Sequence, residues 1–219
     1  MEDYERFMVE DLRVRIVYDS YPSNPRTEFD NLGTMVCWHN RHHLGDEHRF
    51  GSPQDFLESM KDTPHIRLNL FLYDHSGITM SSSSGGNPFS CPWDSGQVGW
   101  IYITLEKVRE ECGWKLITKK RRQKIEEYLR QDVKTYDAYL TGQVHGYIVE
   151  APPEDGEDRD DDDAWEHLDS CYGYYGEPDY VKEEATRSAR DHLEERAKER
   201  AAAASLAADI AAFHAAAPF

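Results

Sequence analysis

The sequence predicts an α+β fold in which a mainly antiparallel sheet is packed by helices and followed by a long C-terminal helix. Segments with strand-like alternation and segments with helical spacing follow one another without the regular alternation of a parallel α/β protein. A hydrophobic fraction of 39%, with 5 Trp, 13 Tyr and 8 Phe, supplies enough large side chains for a core. We therefore predict one domain over residues 1–176, including an acidic loop at 152–163, and a helical appendage over 177–219.

The N-terminal third is predicted to form two strands and a short helix. The segment LRVRIVY, Leu12–Tyr18, alternates apolar and polar residues as a half-buried strand does. A second strand is expected over Gly33–His39, after a turn region that contains two prolines. Ser52 suits a helix N-cap and Pro53 suits the first helical position, so a helix is predicted up to about Met60.

The middle of the chain predicts more strands and then helices. HIRLNLFLYD alternates apolar and polar residues, QVGWIYIT is rich in β-branched and aromatic residues, and a small strand is expected between them at Ile78–Ser81. Helices are predicted over Thr104–Cys112 and over Thr118–Leu140, where apolar residues recur at helical spacing before Gly142. QVHGYIVE and AWEHLDSCYGYYG are predicted to be the last two strands.

From residue 179 to 216 the composition shifts to Ala, Glu and Arg, with almost no turn residues. Ala is the best helix former, so we predict a helix of roughly 35 residues, about 50 Å long. Its apolar stripe is thin. We expect one part to lie on the sheet and the other to extend beyond it, where it either pairs with a partner or a second copy of the chain or stays solvated.

The net charge of −17 is concentrated in one segment. Residues 150–195 carry 18 acids and 4 bases, whereas the rest of the chain carries 24 acids and 21 bases. Such a field repels nucleic-acid phosphates and attracts basic surfaces, so direct nucleic-acid binding is not expected. The Asp-rich run EDGEDRDDDD lacks the Gly and Glu positions of an EF-hand, so we interpret it as a solvated insertion or a functional acidic surface.

The chain is expected to be cytoplasmic and to need no cofactor. Its longest apolar runs are far shorter than the roughly 18 residues that cross a bilayer, and acids stand where a secretory signal needs bases. The four cysteines are widely spaced without a CxxC pair, which indicates free thiols in a reducing compartment.

The segment Asp74–Gly96 contains residue types that could carry catalysis. Cys91, His75 and Asp94 supply a thiol, an imidazole and a carboxylate, the set that a cysteine hydrolase uses, although their order and spacing match no catalytic signature. The alternatives are a structural loop in which Trp93 inserts into the core and a loop that presents Trp93 for recognition. We favour a framework or recognition element over a reaction centre.

A zinc site is a further alternative. Cys37 and His39 point to one face of a predicted strand, and His42 follows in the next loop. No second spaced cluster completes the ligand set, so the leading interpretation of this strand and loop involves no metal.

Four motifs in order resemble a family of uncharacterised proteins that bacteriophages and mobile elements carry: LGTMVCxH, YDHSGITMS, SCPWDSGQVG and TYDxYLTG. The resemblance covers roughly Asp11–Gly176 and excludes the Asp-rich insertion and the Ala-rich helix. It implies no catalytic residues. It does imply a context, because acidic phage proteins without enzyme motifs often bind host machinery and sometimes imitate DNA to block restriction or CRISPR nucleases.

The leading interpretation is a non-enzymatic, acidic accessory protein that binds a basic surface of a host protein, with no direct contact to nucleic acid or membrane. The expected binding residues are four consecutive acids and three tyrosines: Asp160, Asp161, Asp162, Asp163, Tyr172, Tyr174 and Tyr175. The alternative is a Cys/His-dependent hydrolase or a zinc-dependent enzyme at Cys91/His75 and Cys37/His39. A third interpretation is a protein that oligomerises through the C-terminal helix.

Overall fold

The computed structural model describes residues 2–153 and 159–216. The strands are β1 (Asp3–Val9), β2 (Leu12–Tyr18), β3 (Thr34–Cys37), β4 (His65–Asp74), β5 (Ile78–Ser83), β6 (Ser95–Thr104), β7 (Val144–Ala151) and β8 (Glu166–Tyr175). The helices are α1 (Pro25–Glu28), α2 (Pro53–Ser59), α3 (Leu105–Cys112), α4 (Lys119–Leu140) and α5 (Asp179–Ala216), with a short 3-10 turn at Asp162–Ala164. The predicted α+β class, with its antiparallel strands and long C-terminal helix, is confirmed.

The antiparallel strands form two four-stranded sheets, one in each of two compact units. Unit 1 comprises Met1–Ser20 and His145–Phe219, and unit 2 comprises Tyr21–Val144. The strand order is β1-β2-β7-β8 in the first sheet and β3-β6-β4-β5 in the second. None of the described helices is long and apolar enough to cross a membrane.

Helix α5 covers one face of the unit 1 sheet. Its Val181, Ala185 and Ala189, each one turn after the last, are fully buried against Val14 and Ile16 of β2. Small side chains at that spacing let the helix lie close to the strands, which explains why so thin an apolar stripe is sufficient.

Two apolar residues in the second half of α5 are exposed. Leu206 is 62% exposed and Ile210 is 50% exposed. Helical propensity, which is highest for Ala, accounts for this part of the helix better than tertiary burial does.

Among the described strands, β1 alone was not predicted from the sequence. It pairs antiparallel with β2 through a turn at Glu10 and Asp11, where Glu10 has a φ of 54°. Only Phe7 and Val9 of this strand pack against the core, while its other residues are mostly charged or exposed. An edge strand with so little apolar surface lacks a clear alternation signal.

Unit 2 has a sheet that is packed on both faces. On one face, Ile125, Leu129 and Val133 of α4 contact Ile66 and Leu68 of β4, as the helical spacing and the strand alternation predict. These side chains are all at least 98% buried. They form the larger part of the hydrophobic core of this unit.

The other face of the unit 2 sheet is covered by α2. Its Phe56 is fully buried and stacks on Trp100 of β6, with ring centroids 5.2 Å apart. The predicted N-cap is present, because the Ser52 hydroxyl accepts a hydrogen bond of 3.1 Å from the backbone N–H of Asp55. Strand β6 contains one position that only glycine fits: a Cβ at Gly99 would lie 1.9 Å from the carbonyl oxygen of Val36.

A buried histidine lies within the unit 1 sheet. His145 of β7 is fully buried, and its ring centroid is 5.2 Å from those of Tyr4 and Tyr18. Neither ring nitrogen has a hydrogen-bond partner of ordinary geometry among the described residues. Burial lowers the pKa of His145, and the Gly176 backbone and the Glu177 carboxylate act weakly in the opposite direction.

We expect this histidine to make the protein acid-sensitive. Because its pKa is lower in the folded state, the unfolded state binds the proton more readily, and the free energy of unfolding should fall as the pH drops below about 6.5. His145→Phe keeps an aromatic ring between the two tyrosines and should show a smaller loss between pH 7.5 and 5.5 in urea denaturation. His167→Phe, at an exposed position, is the control. Equal losses in the two variants would contradict this prediction.

Candidate functional site

The loop that joins β3 to α2 carries most of the histidines of unit 2, and one carboxylate fixes its path. Asp46 receives two hydrogen bonds from the guanidinium of Arg26, at 2.7 and 2.6 Å. Its backbone N–H donates to the carbonyl of Met35, and its side chain accepts from the N–H of Met35, both at 2.8 Å. The Arg26 side chain is only 1% exposed, so this carboxylate is the charge that compensates a buried cation.

Further contacts hold the same loop at both sides of Asp46. The backbone N–H of Gly45 donates to the hydroxyl of Tyr136 in α4 at 3.1 Å. Nε2 of His48 lies 3.0 Å from the carbonyl oxygen of Cys37. These hydrogen bonds attach the loop to β3 and to α4. They therefore restrict the position of its first residues, 39–42.

Three metal-ligating side chains meet at the start of this loop: His39, His42 and Asp74, which we call the His–Asp cluster. One ligand atom of each lies within 4.8 Å of the other two. Nε2 of His42 is 3.2 Å from Oδ2 of Asp74, and Nε2 of His39 is 3.7 Å from the same oxygen. Asp74 ends β4, so the cluster joins two segments that are more than 30 residues apart in the sequence.

Neighbouring groups define the electrostatics of the His–Asp cluster. Arg41 donates to Oδ2 of Asp74 at 2.5 Å, although its own side chain is 68% exposed. The imidazoles of His39 and His42 stack, with centroids 5.1 Å apart. Burial lowers the pKa of His39, as do His42 and Arg41, while Asp74 acts in the opposite direction. His39 is thus biased towards its neutral form.

A cavity of about 330 Å³ opens beside the His–Asp cluster. Its wall includes His39, Asp74, Asp94 and the exposed indole of Trp93. Trp93 is 92% exposed, so the interpretation in which it inserts into the core is wrong, and the loop instead presents it. The Asp74–Gly96 segment folds this way because the N–H of Asp74 donates to the carbonyl of Asp94 at 2.8 Å, which closes the connection.

The predicted catalytic trio comes together, but with the carboxylate in the middle. The thiol of Cys91 donates to Oδ2 of Asp94 at 3.4 Å, and Nδ1 of His75 lies 3.5 Å from the same oxygen. A nucleophilic cysteine needs an imidazole that accepts the thiol proton, with the carboxylate orienting that imidazole from behind. In this arrangement the imidazole contacts the carboxylate and not the sulfur.

The predicted zinc set is only partly assembled. Cys37 is not part of the group of potential ligands that the described residues form, whereas His39 and His42 are. The pKa of the Cys37 thiol is raised to about 12, chiefly because burial removes the thiol from water and to a smaller extent because of the negative charge of Asp46. The third potential ligand beside His39 and His42 is instead the carboxylate of Asp74, which sequence spacing did not indicate.

The predicted acidic surface lies on unit 1. Residues 154–158 of the Asp-rich run are outside the described residues, and Asp160, Asp161, Asp162 and Asp163 are exposed. Asp162 also contacts the sheet: it forms ion pairs with Arg6 at 2.9 Å and with Arg13 at 2.6 Å. The Asp161 side chain caps the turn by accepting from the N–H of Asp163 at 3.0 Å.

Arg13 anchors the acidic segment to the sheet. Its side chain is 8% exposed and pairs with Glu150 of β7 at 2.6 Å as well as with Asp162. Its guanidinium carbon lies 4.4 Å above the ring of Trp165, a cation–π contact. Hydrogen bonding to Arg6 holds the pKa of Asp162 below its usual value, so this anchor stays ionised near neutral pH.

The three predicted tyrosines differ in their environments. Tyr172 is 39% exposed, and Tyr174 and Tyr175 are half-buried. The ring of Tyr174 packs between Tyr147 and Tyr180, with centroids about 6.1 and 5.9 Å away. Desolvation raises the pKa of Tyr174. Of the three, Tyr172 offers the most surface to a partner.

An acidic groove that the sequence did not predict lies between β8 and α5 and encloses a cavity of about 380 Å³. It is lined by four carboxylates, one guanidinium and three other polar side chains: Asp169, Glu184, Asp191, Glu195, Arg187, Tyr147, Ser188 and His192. The sequence does contain one indication of this groove: the spacing of Asp191 and Glu195 places these two carboxylates one turn apart on the same helix.

Two hydrogen bonds hold the carboxylate of Asp169 in place in the acidic groove. Its Oδ2 accepts hydrogen bonds from the hydroxyls of Ser188 at 2.5 Å and Tyr147 at 3.1 Å. The bond from Ser188 is the largest cause that lowers the pKa of Asp169, and the carboxylate is therefore ionised at neutral pH. Arg187 forms an ion pair with Glu184 at the edge of the groove.

Comparisons of this chain with protein-family models, with curated proteins and with solved structures found no match.

The contacts of Asp46 lead to a stability prediction. Asp46→Ala leaves the buried guanidinium of Arg26 without its carboxylate and should lower the free energy of unfolding by about 3 kcal/mol, as is typical when one partner of a buried pair is removed. Urea denaturation followed by circular dichroism measures this change. Glu47→Ala, at the exposed neighbouring position, should change stability by less than about 0.5 kcal/mol. Similar losses in both variants would show that Asp46 has no special role.

The cysteines should differ in reactivity. At pH 8 iodoacetamide should label the exposed Cys171 in the native protein and leave Cys37 unlabelled, because Cys37 is buried and its thiol stays protonated. Peptide mass spectrometry after timed quenching measures the labelling, and all four cysteines should react in denaturant. Early labelling of Cys37 in the native state would contradict the environment described above.

Proposed function

We propose that this chain is a non-enzymatic, acidic accessory protein that binds a basic surface of a host protein. The observation that carries this proposal is the acidic groove of unit 1, whose four carboxylates face a single guanidinium. A groove of this charge and volume suits the side chain of a lysine or an arginine from a partner.

The distribution of charge over unit 1 supports the proposal. Eleven acids of the segment 150–195 are exposed in the described part of the chain: Asp160, Asp161, Asp162, Asp163, Glu166, Glu177, Asp179, Glu183, Asp191, Glu194 and Glu195. Exposed charges of one sign attract a basic partner from a distance and raise the association rate, an effect that added salt screens.

Preorganisation of the acidic segment supports the proposal further. Arg6 and Arg13 hold Asp162 against the sheet, so the neighbouring Asp160, Asp161 and Asp163 start from an ordered turn. Ordering a segment before binding reduces the entropy that association would otherwise cost. The exposed ring of Tyr172 adds an aromatic side chain of the type that dominates many interfaces.

The resemblance to proteins of bacteriophages and mobile elements supplies the biological part of the proposal. In that context the chain acts in the cytoplasm of the host cell, and its basic partner is a defence nuclease of the restriction or CRISPR type. Binding sites for DNA are basic, and an array of carboxylates can occupy them in place of phosphates. Bound duplex DNA and this chain would then exclude each other.

The proposal predicts salt-sensitive capture of basic proteins. The immobilised chain should enrich basic, nucleic-acid-binding proteins from a host lysate at 50 mM salt, and much less at 500 mM, because screening weakens charge pairing. Added duplex DNA should release the captured protein. Affinity capture at the two salt concentrations, followed by mass spectrometry, measures both effects.

Matched variants locate the binding surface. Asp191→Asn with Glu195→Gln should weaken binding of the captured partner by about tenfold, and Asp160→Asn with Asp161→Asn and Asp163→Asn should have a similar effect. Glu47→Gln with Glu110→Gln removes two exposed charges from unit 2 and should leave binding unchanged. No enrichment of a basic protein, or equal binding by all variants, would contradict the proposed function.

A further inference from the structure

The His–Asp cluster of unit 2 has the composition of a transition-metal site. Two imidazoles and one carboxylate are a ligand set that zinc and its first-row neighbours accept, and three protein ligands leave one position open. Hard cations such as Mg²⁺ and Ca²⁺ prefer sites made of oxygens alone. The cluster therefore favours a borderline metal ion.

The distances suit a shared ion. The 3.2 Å between Nε2 of His42 and Oδ2 of Asp74 is about the separation of two ligands that each lie roughly 2 Å from one zinc in tetrahedral geometry. Nε2 of His39 is 3.7 Å from that oxygen, and because the two imidazoles are stacked, at least one ring must turn before both nitrogens can face the same ion. We propose that His39, His42 and Asp74 bind a divalent transition-metal ion, with zinc as the ion to test.

The surroundings prepare the site in two ways. The loop that carries both histidines is tied down through Asp46, and the strand end that carries Asp74 is tied to Asp94, so the ligands come from fixed segments. His39 and Asp74 also line the 330 Å³ cavity, and an open coordination position on that side would hold a water molecule. The cluster belongs to unit 2 and the acidic groove to unit 1, so this inference does not depend on the proposed function.

Metal binding must displace existing interactions of Asp74 and of His39. Arg41 has to leave Asp74, which its exposed side chain allows. Nδ1 of His39 accepts long contacts from the backbone N–H groups of Arg41 and His42, at 3.4 and 3.3 Å. In that tautomer Nε2 carries the proton, so a metal at Nε2 requires the proton to be on Nδ1 and the two long contacts to break. Because Arg41 competes with the metal ion for Asp74, removing Arg41 should change the affinity of this site, whereas it would not change metal binding by a nonspecific group of histidines.

The test is a zinc titration of the purified full-length chain. After removal of metals with a chelator and dialysis, zinc is added in competition with a chromogenic chelator, and we expect one equivalent to bind. His42→Ala and Asp74→Asn should each weaken zinc binding by at least about tenfold, the lower end of what even an outer partner of a metal ligand contributes. Circular dichroism establishes that each variant is folded.

Two variants make the test specific to these ligands. Arg41→Ala frees Asp74 and removes a competing cation, so it should tighten zinc binding by about two- to fivefold. His43→Ala removes an exposed histidine that is adjacent in sequence but outside the cluster, and should leave the affinity unchanged. A gain in one variant cannot result from misfolding.

Cobalt gives an independent readout of the ligand type. Co²⁺ in a site of two imidazoles and one carboxylate should show visible d–d absorption without the near-ultraviolet band of a thiolate ligand, and Cys37→Ser should leave the spectrum unchanged. The proposal is overturned if zinc fails to bind, or if His43→Ala weakens binding as much as His42→Ala does. A thiolate band that Cys37→Ser abolishes would overturn it in favour of the set Cys37, His39 and His42.

Discussion

The ion pair between Arg26 and Asp46 is the constraint on which most of unit 2 depends. A guanidinium that is almost fully buried requires a carboxylate beside it, and Asp46 supplies this charge while it also bridges both polar groups of the Met35 backbone. The same residue therefore compensates a buried charge, bonds the backbone of β3 at Met35 and fixes the loop that carries His39 and His42. Any change that releases it would disturb core stability and cluster geometry together.

The candidate binding sites of the two units differ in the kind of interaction that they can make. Unit 1 presents many exposed carboxylates, and the field of such a surface extends about 8 Å at physiological salt. Unit 2 holds a few polar groups at close range, where distances of 3 to 4 Å decide what can bind. A binding role for the first does not require the second, and a metal ion in the second would add a local positive charge to a chain that is otherwise strongly acidic.

The helices and strands could be predicted from local sequence patterns, whereas the sites depend on how distant segments of the chain pair. The N-cap at Ser52, the alternation of β4 and the periodicity of α4 were all readable, because each depends on residues within one or two turns. The contact of Asp74 with His42 was not, since it depends on the order β3-β6-β4, which spacing along the chain does not encode. For the same reason the pairing of Asp162 with Arg13 across the sheet could not be foreseen.

The sheet of unit 1 is built from two segments that are far apart in the sequence, and this has a consequence for synthesis. Strand β2 must wait for its partner β7 until all of Tyr21–Val144 has left the ribosome, whereas unit 2 is continuous in sequence and can fold as soon as it emerges. During that interval β1 and β2 form at most an isolated hairpin, which is marginally stable in water. The acidic residues of this segment, such as Asp3, then help the exposed hairpin to stay in solution until its partner arrives.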